Sequence, residues 1–162
     1  MANTYTQIYI QAVFAVQGRQ CLISKVHKVE LQKYITGIVQ NHKHKLLAIY
    51  CMPDHCHLLV GLKPVMSVSD LMREVKADST NFINRQRWFP GRFSWQEGFG
   101  AFSYGHSQLG VVIRYIENQE QHHARKSFRE EYGAFLEKFK IAYDPKYVFE
   151  FVDDESASKA NP

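Results

Sequence analysis

Cysteine is scarce in this sequence and its spacing is unhelpful. Cys21, Cys51 and Cys56 are odd in number and none stands in a CxxC pair, which argues against a disulfide framework and against a ribbon-type zinc site. A reducing, cytoplasmic setting is the simpler expectation. Excess charge is also small: 20 Lys and Arg against 16 Asp and Glu leave +4 over 162 residues. That balance permits a nucleic-acid partner without demanding one. No stretch approaches the roughly 18 consecutive apolar residues of a membrane span, and the first seven residues lack a basic start leading into an apolar run. A soluble, unexported protein with no membrane partner is therefore expected. Internal repeats and interdomain linkers are missing too, so residues 1–152 are read as a single domain. The polar end, 153–162, is read as a disordered tail.

What remains is a sequence with 45% hydrophobic residues, enough to bury a core without staples. Ile8, Ile10, Ala12, Phe14 and Val16 alternate through Thr6 to Val16 with the period of a strand. Ser24 can cap a helix reaching Gln40 with an apolar stripe of Leu31, Ile35, Ile38 and Val39. The basic turn Asn41 to Lys45 suits that helix's C-terminus, and the same residues could meet phosphate. Leu46 to Met52 reads as a central strand, joined through Pro53-Asp54 to a second strand from His55 to Leu62. Ser67 or Ser69 opens another helix, with Leu71, Met72, Val75, Ser79 and Phe82 along one side and Arg73, Lys76 and Arg85 elsewhere. Gly98 to Tyr104 resembles a further strand. The order strand, helix, strand, strand, helix, strand predicts an α+β fold: a ferredoxin-like antiparallel sheet with both helices on one face.

The chain continues beyond that unit. Ser107 is a candidate cap for a helix to His123, with Leu109, Val112, Ile113 and Ile116 buried. Ser127-Phe128-Arg129-Glu130 reads as a capping box for a last helix whose apolar side is Tyr132, Phe135, Leu136 and Phe139. A short extended segment is expected from Tyr147 to Val152.

Two stretches carry chemistry. On a strand, His55 and His57 share a face and can hold a metal ion if a third ligand arrives from elsewhere. Two histidines at that spacing are by themselves more often ordinary core or surface residues. On the third helix, at about 100° per residue, Tyr115, Gln119 and His122 share an edge a quarter turn from the buried stripe. If that edge docks over the histidines, Gln119 supplies an oxygen ligand and Tyr115 becomes a nucleophile beside a Lewis acid. Two nitrogens and one oxygen with open positions suit Mg²⁺ or Mn²⁺ acting on a phosphodiester better than structural zinc. A phosphotyrosine would conserve the energy of the broken bond for a rejoining step. Between Arg85 and Phe99, cations interleave with rings. Arg87, Arg92 and Trp95, with Arg73 and Lys76 of the preceding helix, are candidate DNA contacts, although such rings serve equally well to cover a core.

Three blocks in this order, Met52-Pro53-Asp54-His55-Cys56-His57, Phe93 to Ser103, and Tyr115 to His123, resemble the single-tyrosine HUH transposases of the insertion-sequence-200-like group and their relatives associated with repeated extragenic palindromes. The likeness runs from Tyr5 to about Phe151. Cys56 departs mildly from it, standing where the family usually has a bulkier apolar residue. The resemblance implies a DNA transposase that recognises single-stranded hairpins at element ends. It implies a divalent ion on His55, His57 and Gln119, and attack by Tyr115, carried on the C-terminal helices, to leave a 5′-phosphotyrosine and a free 3′-OH. It also implies homodimers with composite sites, Tyr115 of one subunit serving the histidines of the other. The rival of another class is a domesticated hairpin-binding protein without activity, against which the intact Tyr115, His55, His57 and Gln119 weigh. A His-x-His metallohydrolase barrel typically needs about 250 residues, so length weighs heavily against it.

Overall fold

The structure, a computed structural model, describes residues 3–144; the segment expected at Tyr147 to Val152 and the expected tail lie outside them. Strands β1 (Tyr9–Ala15), β2 (Lys45–Cys51), β3 (His55–Gly61) and β4 (Gly100–Tyr104) form one sheet in the order β2-β3-β1-β4. Every pairing is antiparallel. Helix α1 (Lys25–Asn41) connects β1 to β2, and α2 (Val68–Gln86) connects β3 to β4. The ferredoxin-like α+β expectation holds.

The caps explain where the helices begin. Ser24 accepts from the His27 amide and Ser67 from the Asp70 amide, each satisfying a donor that the first helical turn leaves without a partner. Of the two candidate caps for α2, the chain uses Ser67. That helix stops at Arg87, which takes a left-handed φ of 53°.

Strand alternation then sorts the core. Ala12, Phe14, Cys56, Leu58 and Val60 pack with the buried stripes of α1 and α2 on one face of the sheet. Val13, Ala15 and Leu59 point to the other. A bare ferredoxin-like sandwich leaves this second face open; here α3 (Leu109–Glu117), α4 (Gln119–His123) and α5 (Phe128–Lys138) cover it. Fully burying each Leu, Val or Phe side chain contributes about 1.5–3 kcal/mol, so this second layer is a substantial part of the core. Among the described residues, no helix is long and apolar enough to cross a membrane.

The expected single helix from Ser107 to His123 is corrected. Ser107 lies inside a short 3-10 turn, His106–Gln108, which is closed by Gln108 Oε1 accepting from the Gly105 amide. Regular helix starts at Leu109 and is interrupted at Asn118, with φ −100° and ψ 26°. There the side-chain amide of Gln119 donates to the carbonyl of Tyr115, four residues back, a side-chain intrusion of the kind that kinks helices. Ser127 does cap α5, accepting from the Glu130 amide.

Gly100 lets α5 approach. A Cβ at this position would lie 2.8 Å from the Tyr132 hydroxyl and 2.9 Å from its ring. Gly100→Ala is expected to cost about 1–3 kcal/mol by overpacking, seen as a lower urea midpoint. An unchanged midpoint would show that α5 does not bear on β4 as described.

Candidate active site

The second face of the sheet is where the sequence-predicted residues meet. Across the β1–β3 pairing, Val13 stands opposite His57 and Ala15 opposite His55, while Gly100 of β4 stands opposite Val13. Three small residues thus make room beside two imidazoles that are themselves fully buried. The third small residue also admits Tyr132, and with it the helix that carries Glu131.

Each histidine has one nitrogen committed outside the site. His55 Nδ1 lies 2.7 Å from Asp54 Oδ1, so its proton sits there and Nε2 keeps the lone pair. That Nε2 is buried with no hydrogen-bond partner. Burial, with His57 alongside, pushes His55 down to about 4 despite Asp54, so the ring is neutral and able to ligate at neutral pH. His57 Nδ1 lies 3.0 Å from the side-chain amide of Gln11, whose oxygen in turn accepts from Tyr104 at 2.9 Å.

Facing them is Glu131 of α5, whose side chain is 1% exposed. Its Oε1 lies 2.9 Å from His57 Nε2, 3.2 Å from His123 Nε2 and 3.7 Å from His55 Nε2. Its Oε2 accepts from the Tyr115 hydroxyl and lies 3.3 Å from His122 Nε2. Burial alone would raise this carboxyl; hydrogen bonds from His123, His57 and Tyr115 more than offset it and hold Glu131 well below the usual carboxylate range. Tyr115 moves the other way, raised first by burial and then by the adjacent Glu131 charge.

The structure therefore brings His55, His57 and Tyr115 together within one chain, the rings of His57 and Tyr115 being 6.1 Å apart. Gln119 is buried at their border, its Oε1 3.0 Å from His123 Nε2. The shared edge of Tyr115, Gln119 and His122 is as helical phase predicts, Tyr115 Oη lying 3.2 Å from His122 Nε2. Sequence reasoning missed His123 and Glu131. A signal existed for the second: Phe128, Glu131, Tyr132, Phe135 and Leu136 are the buried stripe of α5, and an acid on an apolar stripe needs a partner. The donor atoms of His55, His57, His123 and Glu131 all lie within 4.8 Å of one another. Imidazole and carboxylate donors, one of them a buried nitrogen without a partner, fit a divalent metal ion.

The family model of IS200-like transposases matches residues 4–119, well over half of the chain. The chain belongs to that family. No curated protein matches it. Two solved structures share the fold: a candidate transposase from Deinococcus radiodurans R1, with TM-score 0.55 and 20% identity over 74% of this chain and 96% of that one, and a REP-associated tyrosine transposase bound to a REP hairpin, with TM-score 0.55 and 17% identity over 76% and 74%.

For a transposase family member the basic candidates matter, and the structure separates them. Arg87 and Arg92 are exposed and line, with Arg85, Trp88 and Phe89, an open groove at the C-terminal end of α2. Arg73 is exposed and paired with Asp70 of its own helix at 3.0 Å, a contact of small value. The ammonium of Lys76 donates to the carbonyls of Gln96 and Gly98, each at 2.6 Å, and so braces the loop. Trp95 is committed to the interior. It is 7% exposed, packs edge-on against Phe14 and Phe93, and donates its indole N–H to Ser79 at 2.8 Å. Its contacts are those of a residue that covers the core. Trp95→Phe should therefore lower stability by about 1–3 kcal/mol through loss of a buried hydrogen bond and ring volume. DNA affinity measured well below the melting point should not change; a folded variant with selectively weakened binding would contradict the assignment.

Proposed function

We propose that this chain cleaves and rejoins single-stranded DNA beside a hairpin, using Tyr115 as nucleophile and a divalent ion, Mg²⁺ or Mn²⁺, on His55, His57 and Gln119. The observation that carries the reading is the meeting of the Tyr115 hydroxyl and the paired imidazoles on one buried carboxylate. When bound, the ion supplies positive charge beside the scissile phosphate and offsets the Glu131 charge that holds the phenol protonated.

The chain's own groups account for the rest. The Tyr115 proton passes to His122 Nε2, 3.2 Å away and better suited than Glu131, whose carboxyl is held well below its usual range and is therefore the weaker base. The phenolic oxygen forms a bond to phosphorus, the bond from phosphorus to the 3′-oxygen breaks, and that oxygen takes a proton from solvent. The products are a 5′-phosphotyrosine and a free 3′-OH, and the reverse attack by another 3′-OH rejoins strands. A cleft beside Tyr115 has apolar walls of Val112 and Phe135 with Lys126 and Lys138 at its rim. This suits a nucleotide flanking the cut, and Arg114 and Arg125 extend the cationic lining of the adjoining groove. The arginine groove on α2 is the proposed seat of the hairpin. Its outer edge runs into the segment that meets β1 at the Val16–Trp95 bridge, one residue past the partner of His55, so duplex and cut site lie toward the same end of the sheet.

The resemblance implies a homodimer with exchanged tyrosines. Because one chain already brings Tyr115 to its own histidines, we place the first cleavage in cis, so that dimerisation joins two self-contained sites.

Tyr115→Phe is expected to abolish the covalent adduct with a single-stranded hairpin oligonucleotide while leaving binding intact, and chelation of divalent metal should stop cleavage. Wild-type protein that binds the hairpin and never forms an adduct would favour the non-catalytic binder. Mixing Tyr115→Phe with His57→Ala should restore nothing if cleavage is in cis; recovered cleavage would establish composite sites. Arg92→Ala should flatten the salt dependence of hairpin binding by about 0.9 in the log–log slope, and an unchanged slope would remove the groove from the DNA surface.

A further inference from the structure

The residues matched by the family model end at Gln119, yet two members of the donor cluster, His123 and Glu131, lie beyond it. We propose that Glu131 and His123 are metal ligands in this chain, that Glu131 also tethers the nucleophile to the metal centre, and that the nitrogen-rich set selects Mn²⁺ over Mg²⁺. The inference rests on the metal-dependent reading above and goes beyond it in assigning the ligands supplied by α4 and α5.

Three observations carry it. The two oxygens of Glu131 have different neighbours: Oε1 is turned to the Nε2 atoms of His55, His57 and His123, and Oε2 to Tyr115 and His122. One oxygen is thus placed to ligate while the other keeps the phenol. Next, His55 Nε2 is buried, unpartnered and faces that same Oε1, which is the arrangement a missing cation leaves behind. Finally, taking a carboxylate out of water costs several kcal/mol unless opposite charge accompanies it, and among the described residues Glu131 has four imidazoles as neighbours but no Lys or Arg among its ion pairs.

The outer shell is compatible. An amide side chain has nearly the same shape after a half-turn, so rotation of Gln11 would let its oxygen accept from a proton on His57 Nδ1, freeing Nε2 for a metal. Asp54 already holds His55 in the ligating form. Gln119, with its oxygen against His123 Nε2, stands at the edge of the same set. Imidazole donors favour the later and softer divalent ions, whereas Mg²⁺ prefers oxygen and water. That preference sets Mn²⁺ above Mg²⁺ for this site.

The test is metal binding by the purified full chain without DNA, read from the free Mn²⁺ electron paramagnetic resonance signal. Glu131→Gln is expected to weaken Mn²⁺ binding at least tenfold, Glu131→Asp to recover part of it, and Glu130→Gln, on the exposed side of the same helix, to change nothing. Mg²⁺ should displace Mn²⁺ only in large excess. Pulsed measurements on the wild-type complex, which need no variant to fold, should resolve three imidazole nitrogens; only two would remove His123 from the set. Wild-type affinity in a folded Glu131→Gln, with binding lost in His57→Ala, would overturn the role of Glu131 and leave the transposase reading standing. Binding that survives His57→Ala would overturn the metal centre itself.

Discussion

A carboxylate buried among imidazoles is the constraint on which the rest of this molecule turns. Glu131 is an ion with a side chain only 1% exposed, and leaving it uncompensated would cost several kcal/mol, a large share of a domain's stability. Its compensation comes from β3 and α4, and from the tyrosine of α3, while Glu131 itself rides on α5. Four separate pieces of the chain must therefore be in place together. The interaction that stabilises the second layer of the fold is the same one that assembles a nucleophile beside candidate metal ligands.

The sheet makes this possible by treating its two faces differently. Toward α1 and α2 it presents Phe14, Leu58 and Val60, an ordinary apolar surface. Toward α3, α4 and α5 it presents Val13, Ala15 and Gly100 around His55 and His57, a shallow floor with polar groups projecting from it. Gln11 is buried there too and ties His57 to Tyr104. Polar groups on a buried sheet face are costly unless each finds a partner, and the C-terminal helices supply those partners.

Much of this was legible in the sequence because it is local. Strand period, the caps at Ser24, Ser67 and Ser127, and the phase of Tyr115 against Gln119 and His122 each follow from spacing over a few residues, and the structure keeps them, though not the cap expected at Ser107. What was not legible depends on distant contacts. Trp95 sits among arginines in sequence, but its neighbours in space are Phe14, Ser79 and Phe93. Lys76 reads as an exposed cation until the loop at Gln96 and Gly98 folds back over it. The break at Asn118 is invisible to periodicity, since the apolar stripe ends before it. Glu131 was hidden by a capping box and a run of aromatics that explain the helix well enough without it.

The central claim is spatial: one cation, gripped by His55 and His57, shares Glu131 with the hydroxyl of Tyr115. The most direct measurement is an anomalous difference map from crystals of the full chain grown with Mn²⁺. The account predicts a single strong peak at bonding distance from His55 Nε2, His57 Nε2, His123 Nε2 and Glu131 Oε1, with the Tyr115 hydroxyl still on Oε2. A peak held by other residues, or none between the two imidazoles at saturating Mn²⁺, would contradict it.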